Sequence, residues 1–196
     1  MNSNNSALIL VDIQNDFCPG GSLAVKEGDR IVPVVNELQK RFELIVATKD
    51  WHPAGHSSFE TLWPPHCVQE TAGAEFVAAL DTSRVARVFL KGTDLEIDSY
   101  SGFFDNEHRR ATGLGDYLKE RGVTDVVIVG LATDYCVKFT ALDAVMLGFN
   151  TTVVADACRG VEVNEGDTAR AVAEMAAAEV HITESRQLLD ARASES

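Results

Sequence analysis

The segment from Asp50 to His66 gathers the side chains that most often bind metal ions in proteins. Asp50 and His52 are followed by His56, and His66 comes after a Pro-Pro pair, so this segment holds three of the five histidines. Asp50 and His52 lie two apart on what should be extended backbone, so their side chains leave on the same side. One carboxylate with three imidazoles suits zinc, iron(II) or manganese better than calcium. A polar surface loop is the alternative, because this spacing alone is not unique to metal sites.

A second candidate is Cys136, which ends the segment 130–136 at a predicted crossing from a strand into a helix. A thiol at a helix N-terminus feels the positive end of the helix dipole, which favours the nucleophilic thiolate. Unpaired backbone N–H groups of the same turn could hold an oxyanion. The alternative is a small buried hydrophobic residue, the commoner role of a free cysteine.

A thiol nucleophile needs a group that takes its proton, and Asp12 at the end of the first apolar run is placed to do so. Lys91 ends the third run, and its charge could stabilise a thiolate or a developing anion. Without Cys136 nearby, Asp12 and Lys91 could equally form an ordinary ion pair, or Lys91 could be solvated.

The elements that must position these residues alternate along the chain. Short apolar runs, bounded by turn or charged residues, predict buried strands at Ala7–Ile13, Leu44–Thr48, Val85–Leu90, Val126–Val129, Thr151–Ala155 and Val180–Thr183. Helical apolar spacing occurs at Arg30–Phe42, Leu114–Arg121, Val137–Leu147 and Asp167–Ala178. This alternation predicts an open α/β fold, with a mostly parallel six-stranded sheet and helices on both faces. Ligands bind such sheets at the carboxyl ends of the strands, which is where Asp12, Asp50, Lys91 and Cys136 fall.

Length and composition predict a single globular domain over residues 1–196, with 45% hydrophobic and 24% charged residues. A net charge of -13 argues against a nucleic-acid partner. The polar start Met1–Ser6 lacks the basic region of a signal peptide, and no apolar stretch reaches the length of a membrane span. The four cysteines form no CxxC pair and suit reduced thiols. We therefore expect a cytoplasmic protein without a membrane partner, ending in a loose tail at Ala191–Ser196.

Six motifs occur in a fixed order: VDIQNDFC at 11–18, TKDWH at 48–52, WPPHCV at 63–68, KG at 91–92, DSYSGF at 98–103 and GLATDYC at 130–136. Together they resemble the nicotinamidase branch of the isochorismatase-like family of cysteine hydrolases, over most of the chain. The resemblance implies a Rossmann-like isochorismatase hydrolase fold. It also implies hydrolysis of nicotinamide to nicotinate and ammonia in NAD salvage, with pyrazinamide as a second substrate.

The same resemblance implies roles for individual residues. The catalytic triad would be Asp12, Lys91 and Cys136, and the oxyanion would be held by the N–H groups of Ala132 and Cys136, beside a cis peptide between Leu131 and Ala132. One divalent metal, Zn, Fe or Mn, would bind the pyridine nitrogen of the substrate. Its ligands would be Asp50, His52 and His66, with His56 bound directly or through water. The substrate-binding residues would be Phe17 and Trp63, which flank the ring, and Tyr100.

Two rival functions stay open. Another amidase of the same superfamily, acting on a carbamoyl or ureido substrate, would share the triad but generally lacks the Asp-x-His and His set. A non-enzymatic metal-binding or thiol-sensing protein would use the histidines and Cys136 but gives Asp12 and Lys91 no role. The sequence does not fix the oligomeric state, although an exposed apolar helix face would suit a homo-oligomer.

Overall fold

The computed structural model describes residues 5–190, so the predicted tail 191–196 and most of the predicted polar start lie outside the described residues. Six strands form one sheet: β1 (Ser6–Val11), β2 (Leu44–Asp50), β3 (Arg87–Lys91), β4 (Asp125–Leu131), β5 (Asn150–Arg159) and β6 (His181–Thr183). Their order is β3-β2-β1-β4-β5-β6, and every neighbouring pair is parallel. The predicted open α/β fold is confirmed.

The helices are α1 (Val32–Gln39), α2 (Ser58–Thr61), α3 (Leu114–Glu120), α4 (Lys138–Met146), α5 (Asp167–Ala177) and α6 (Ser185–Asp190). The predicted helix Arg30–Phe42 is shorter in the structure, because a 3-10 turn at Gly28–Ile31 precedes α1. Helices α2 and α6 were not predicted, since segments this short show no clear apolar period. The predicted strand Thr151–Ala155 is the middle of the longer β5.

The core lies on both faces of the sheet. On one face Leu10 of β1 belongs to an apolar cluster with Leu38 of α1, and α6 packs against this cluster. On the other face Ile9 of β1 belongs to a cluster that includes Ala141 of α4. Successive side chains of a strand point to opposite faces, so a strand covered on both sides must be apolar throughout. This explains why β1 is one continuous apolar run.

The strand order reverses between β1 and β4, which places the predicted ligand-binding edge beside these two strands. Their ends approach closely at Gly130, where a Cβ atom would lie 2.0 Å from the carbonyl oxygen of Val11. Gly130 also has φ 129°, a backbone conformation that favours glycine. Just past Val11 the chain turns at Asp12, with φ 47°, out of the sheet and into the site.

Among residues 5–190, no helix combines the length and apolar character that crossing a membrane requires.

Candidate active site

Asp12, Lys91 and Cys136, hereafter the cysteine group, meet at the carboxyl edge of the sheet. The Nζ atom of Lys91 lies 2.9 Å from Oδ2 of Asp12 and 3.4 Å from Sγ of Cys136. It also donates to the carbonyl oxygen of Ser99 at 2.8 Å and forms an ion pair with Asp50. Asp12, Lys91 and Cys136 are all buried. The ammonium of Lys91 therefore balances the carboxylates of Asp12 and Asp50 away from bulk solvent.

One π turn, Thr133–Val137, carries Cys136 from β4 into α4. The peptide bond between Leu131 and Ala132 that precedes this turn is cis. The N–H of Val137 donates to the carbonyl of Ala132 at 3.0 Å, which closes the turn. Ala132 and Cys136 therefore lie together on the wall of the same cavity.

Burial controls the protonation of the cysteine group. It raises the pKa of Asp12, an effect that Lys91 opposes. It also disfavours the charged form of Lys91, but the neighbouring carboxylates outweigh this and raise the pKa of that ammonium. Burial raises the pKa of Cys136 well above its ordinary value, and Lys91 offsets only part of the increase. Burial therefore outweighs the helix dipole: the thiol keeps its proton at neutral pH and needs a base, as the sequence predicts for a thiol nucleophile.

Asp50, His52 and His66, hereafter the histidine group, lie next to the cysteine group. Oδ2 of Asp50 is 3.5 Å from Nε2 of His52 and 3.8 Å from Nε2 of His66. One potential ligand atom from each of the three residues lies within 4.8 Å of the others. The side chains of Asp50 and His52 thus leave their extended segment toward the same side.

Hydrogen bonds to main-chain carbonyls fix both imidazole rings of the histidine group. Nδ1 of His52 donates to Gly92 at 2.9 Å, and Nδ1 of His66 donates to Pro64 at 2.8 Å. A ring that donates from Nδ1 keeps a lone pair on Nε2, which is the arrangement found behind metal-binding histidines. A side chain at Gly92 would disturb it, since a Cβ atom there would lie 2.4 Å from the His52 ring.

One unpartnered nitrogen atom indicates that the histidine group can accommodate a cation. Within the part of the chain that the structure describes, Nε2 of His52 is buried and has no hydrogen-bond partner. Leaving such an atom unsatisfied costs about 1–3 kcal/mol, which a bound metal would recover. A carboxylate with two imidazoles fits a divalent transition metal.

His56 lies beside this group rather than inside it. Its ring centroid is 4.3 Å from that of His52, and its buried Nε2 also has no partner among residues 5–190. It forms a second potential ligand set with His52 and Asp98. Burial lowers the pKa of both His56 and His66, so both are neutral at pH 7, as metal binding requires.

A cavity opens onto both groups, with about 350 Å³ of empty space when the solvent at its mouth is included. Phe17, Trp63 and Tyr100, which the resemblance had placed at the substrate, all line it. The indole Nε1 of Trp63 donates to the hydroxyl of Tyr100 at 3.2 Å, which fixes this aromatic wall. A small cavity with aromatic walls and a few polar groups suits a small planar ligand.

Four further lining residues were not predicted: Leu23, Asp98, Tyr135 and Val161. Asp98 had a detectable signal, because it is a carboxylate soon after a strand end, and its Oδ1 lies 4.0 Å from Nε2 of His52. Val161 had none. It reaches the cavity because the buried carboxylate of Asp134 accepts hydrogen bonds from the N–H groups of Val161 and Glu162, at 2.9 and 2.8 Å.

The open α/β fold and the two groups at the carboxyl edge of its sheet define a class of protein. Residues 6–187 match the model of the isochorismatase domain. The chain belongs to the isochorismatase family.

Within the family, the chain is similar to nicotinamidases and pyrazinamidases. The chain is 47% identical to a nicotinamidase of Escherichia coli (strain K12) over 194 residues, covering 88% of this chain and 91% of the relative. It is similar to the solved nicotinamidase/pyrazinamidase of Acinetobacter baumanii, with a TM-score of 0.93 and 43% identity over 96% of this chain and 100% of the other. It is also similar to the pyrazinamidase of Pyrococcus horikoshii in complex with zinc, with a TM-score of 0.82 and 44% identity over 92% and 99%.

Proposed function

We propose that this protein hydrolyses nicotinamide to nicotinate and ammonia, and also accepts pyrazinamide, in NAD salvage. The observation that carries the proposal is the meeting of the Cys136 thiol, Lys91 and Asp12 at a small aromatic cavity next to the histidine group. The activities of the similar proteins support it, because nicotinamidases and pyrazinamidases recur among them.

In the first half of the reaction Asp12 is the base. Its pKa is raised by burial, so it binds a proton more readily than an exposed carboxylate does, and an oxygen of Asp12 lies within 4.8 Å of Sγ of Cys136. Asp12 takes the thiol proton, and the sulfur attacks the carboxamide carbon. The ammonium of Lys91 stabilises the negative charge as it passes from the Asp12 carboxylate to the sulfur of Cys136.

The second half releases the two products. The N–H groups of Ala132 and Cys136 hold the oxyanion, and Asp12 returns its proton to the nitrogen that leaves as ammonia. Water then attacks the nicotinoyl thioester. Nicotinate leaves, and the thiol of Cys136 is restored with its proton.

The histidine group would hold one divalent metal, with zinc, iron or manganese as candidates. A bound metal would supply a Lewis acid for the pyridine nitrogen, and the carboxamide would then face Cys136. His56 would complete the set, either directly or through a water molecule; its ring is held by the hydroxyl of Ser58, which lies 2.7 Å from Nδ1. Phe17 and Trp63 flank the substrate ring, and Tyr100 closes the wall behind it.

The test is ammonia release from nicotinamide by the purified protein, with and without a chelator. We expect turnover that the chelator removes and that zinc, iron or manganese restores. Absence of turnover by folded, metal-loaded protein would contradict the proposal. The same assay with carbamoyl and ureido amides then tests the other amidase activity of the superfamily.

Two further features belong to the proposal. All four cysteines are free and buried, which suits a reducing cytoplasm. Phe139 and Met146 are exposed seven residues apart on α4, which gives this helix an apolar outer stripe. A second copy of the chain could cover that stripe in a homo-oligomer, which sedimentation measurements would test.

A further inference from the structure

The side chain of Gln14 is fully buried and uses both ends of its amide. Its Nε2 donates to the carbonyl oxygens of Asp50 and Ala74, each at 2.8 Å. Its Oε1 accepts the N–H of Asp50, also at 2.8 Å. A single side chain therefore satisfies the main-chain donor and the main-chain acceptor of Asp50.

This amide takes the place of a neighbouring strand. The pairing of β1 with β2 reaches Leu10 opposite Ala47, and the chain leaves the sheet soon after Val11, while β2 continues to Asp50. A paired strand would offer one carbonyl and one N–H to the end of β2. Gln14 offers the same two groups from its side chain. The hydrogen bonding on the β1 side of β2 therefore continues to Asp50, the last residue of β2.

The orientation of Asp50 matters because its two carboxylate oxygens face different groups. Oδ1 pairs with Lys91 of the cysteine group. Oδ2 faces the imidazole nitrogens of His52 and His66. A rotation of the Asp50 main chain would move both oxygens at once, and a ligand displaced by a fraction of an ångström binds a metal less well.

We propose that Gln14 is a positioning residue for the metal: it holds the main chain of Asp50 so that the carboxylate faces the histidines and Lys91 together. The inference rests on the metal site of the proposed function. It predicts a role in metal affinity that a residue of purely structural importance would not have.

The experiment compares zinc affinity in the full-length protein and three variants, by competition with a chromophoric chelator. Gln14→Met removes all three hydrogen bonds, and Gln14→Glu keeps the volume and the acceptor while losing the amide donor. Gln39→Met is the matched control. Gln39 is also buried, and its Nε2 donates to a main-chain carbonyl, that of Asp81, at 2.9 Å, but it lies on α1 away from the site. Thermal unfolding of the zinc-free proteins reports the structural cost of each change.

We expect Gln14→Met and Gln14→Glu to weaken zinc binding roughly tenfold to 100-fold, as loss of a supporting hydrogen bond does at metal sites. Gln39→Met should lower thermal stability and leave the zinc affinity at the wild-type value. Unchanged zinc affinity in folded Gln14 variants would overturn the inference, as would failure of both variants to fold, which would assign Gln14 to stability. If the wild-type protein binds none of the three metals, the metal site of the proposed function fails, and the inference with it.

Discussion

The cysteine group and the histidine group share one edge of the sheet and are similarly buried, yet their polar atoms are partnered differently. In the cysteine group Lys91 contacts two carboxylates, a carbonyl and the thiol, so opposite charges meet inside the chain. In the histidine group a buried imidazole nitrogen of His52 has no partner among residues 5–190. Charge pairing within the chain stabilises the first group, whereas the unpartnered nitrogen of the second suits a bound cation. Asp50 connects them, with one carboxylate oxygen toward each.

The largest expected effect follows from removing the sulfur of the cysteine group. Cys136→Ala should lower ammonia release at least about 10³-fold, because the thiol forms the bond to the substrate. Metal content should stay at the wild-type level, since the histidine group is untouched. Cys158→Ala is the control: this thiol is also buried, with its pKa raised to about 12 by burial, but it lies on β5 and should be dispensable for turnover. Turnover near the wild-type rate in Cys136→Ala would show that Cys136 is not the nucleophile.

A second change tests whether the charges of the cysteine group balance within the chain. Lys91→Met should abolish turnover and lower the free energy of unfolding by about 3–5 kcal/mol, because two buried carboxylates lose their counter-charge. Without Lys91 the pKa of Asp12 in the folded state rises further above its unfolded value. The stability deficit should therefore narrow as the pH falls and the carboxylate gains a proton.

The matched control for Lys91 is Lys49, which pairs with the exposed Glu75 at 2.6 Å. Lys49→Met should cost about 1 kcal/mol or less, since half-exposed ion pairs contribute little. Urea unfolding at two pH values measures both variants. Equal losses, or a Lys91→Met deficit that does not depend on pH, would contradict the charge balance that distinguishes the two groups.

The histidine group should respond in metal binding rather than in stability. His52→Ala or His66→Ala should weaken metal affinity by about 100-fold or more, beyond the loss expected for supporting residues. His56→Ala should weaken it less, because His56 does not share the Asp50 and His66 ligand set. His108→Ala is the control, since this half-exposed histidine lies at Asp143, outside both groups. Elemental analysis and chelator competition rank the metal affinities of these variants. An equal loss of affinity in His52→Ala and His56→Ala would make His56 a direct ligand.

The smallest expected effect is a shift in pH dependence. The hydroxyl of Thr48 donates to Oδ1 of Asp12 at 2.6 Å and lowers the pKa of that carboxyl. In Thr48→Val the pKa of Asp12 rises, so the base is protonated at a higher pH. The acid limb of the kcat/KM profile should move upward by roughly half to one unit, since one hydrogen bond contributes about 1 kcal/mol.

Thr48→Ser keeps the hydroxyl and should restore the wild-type profile. Metal content should be the same in both variants, because the change acts on the cysteine group alone. A profile that does not move in Thr48→Val would remove Asp12 as the base whose protonation limits the reaction.

Much of the fold was predictable because buried parallel strands are continuous apolar runs. The runs that became β1, β2 and β4 were placed to within a few residues, and the carboxyl ends of parallel strands must share an edge. Asp12 and Lys91 could therefore be brought together from sequence. Short elements such as α2 left no period to detect, and the extension of β5 to Arg159 passes through polar residues that do not resemble a buried strand.

The sequence by itself determined the order of strands and helices, the residue types delivered to one edge, and, through its ordered motifs, the resemblance to a family. Only the tertiary structure decided which atoms meet: that Lys91 contacts both Asp12 and Asp50, that Val161 reaches the cavity through Asp134, and that the thiol of Cys136 keeps its proton. The physical reason is that hydrogen bonds require atoms within about 3 Å and pKa values follow burial and nearby charge. Both depend on every element packed around the site, and no local stretch of sequence contains that information.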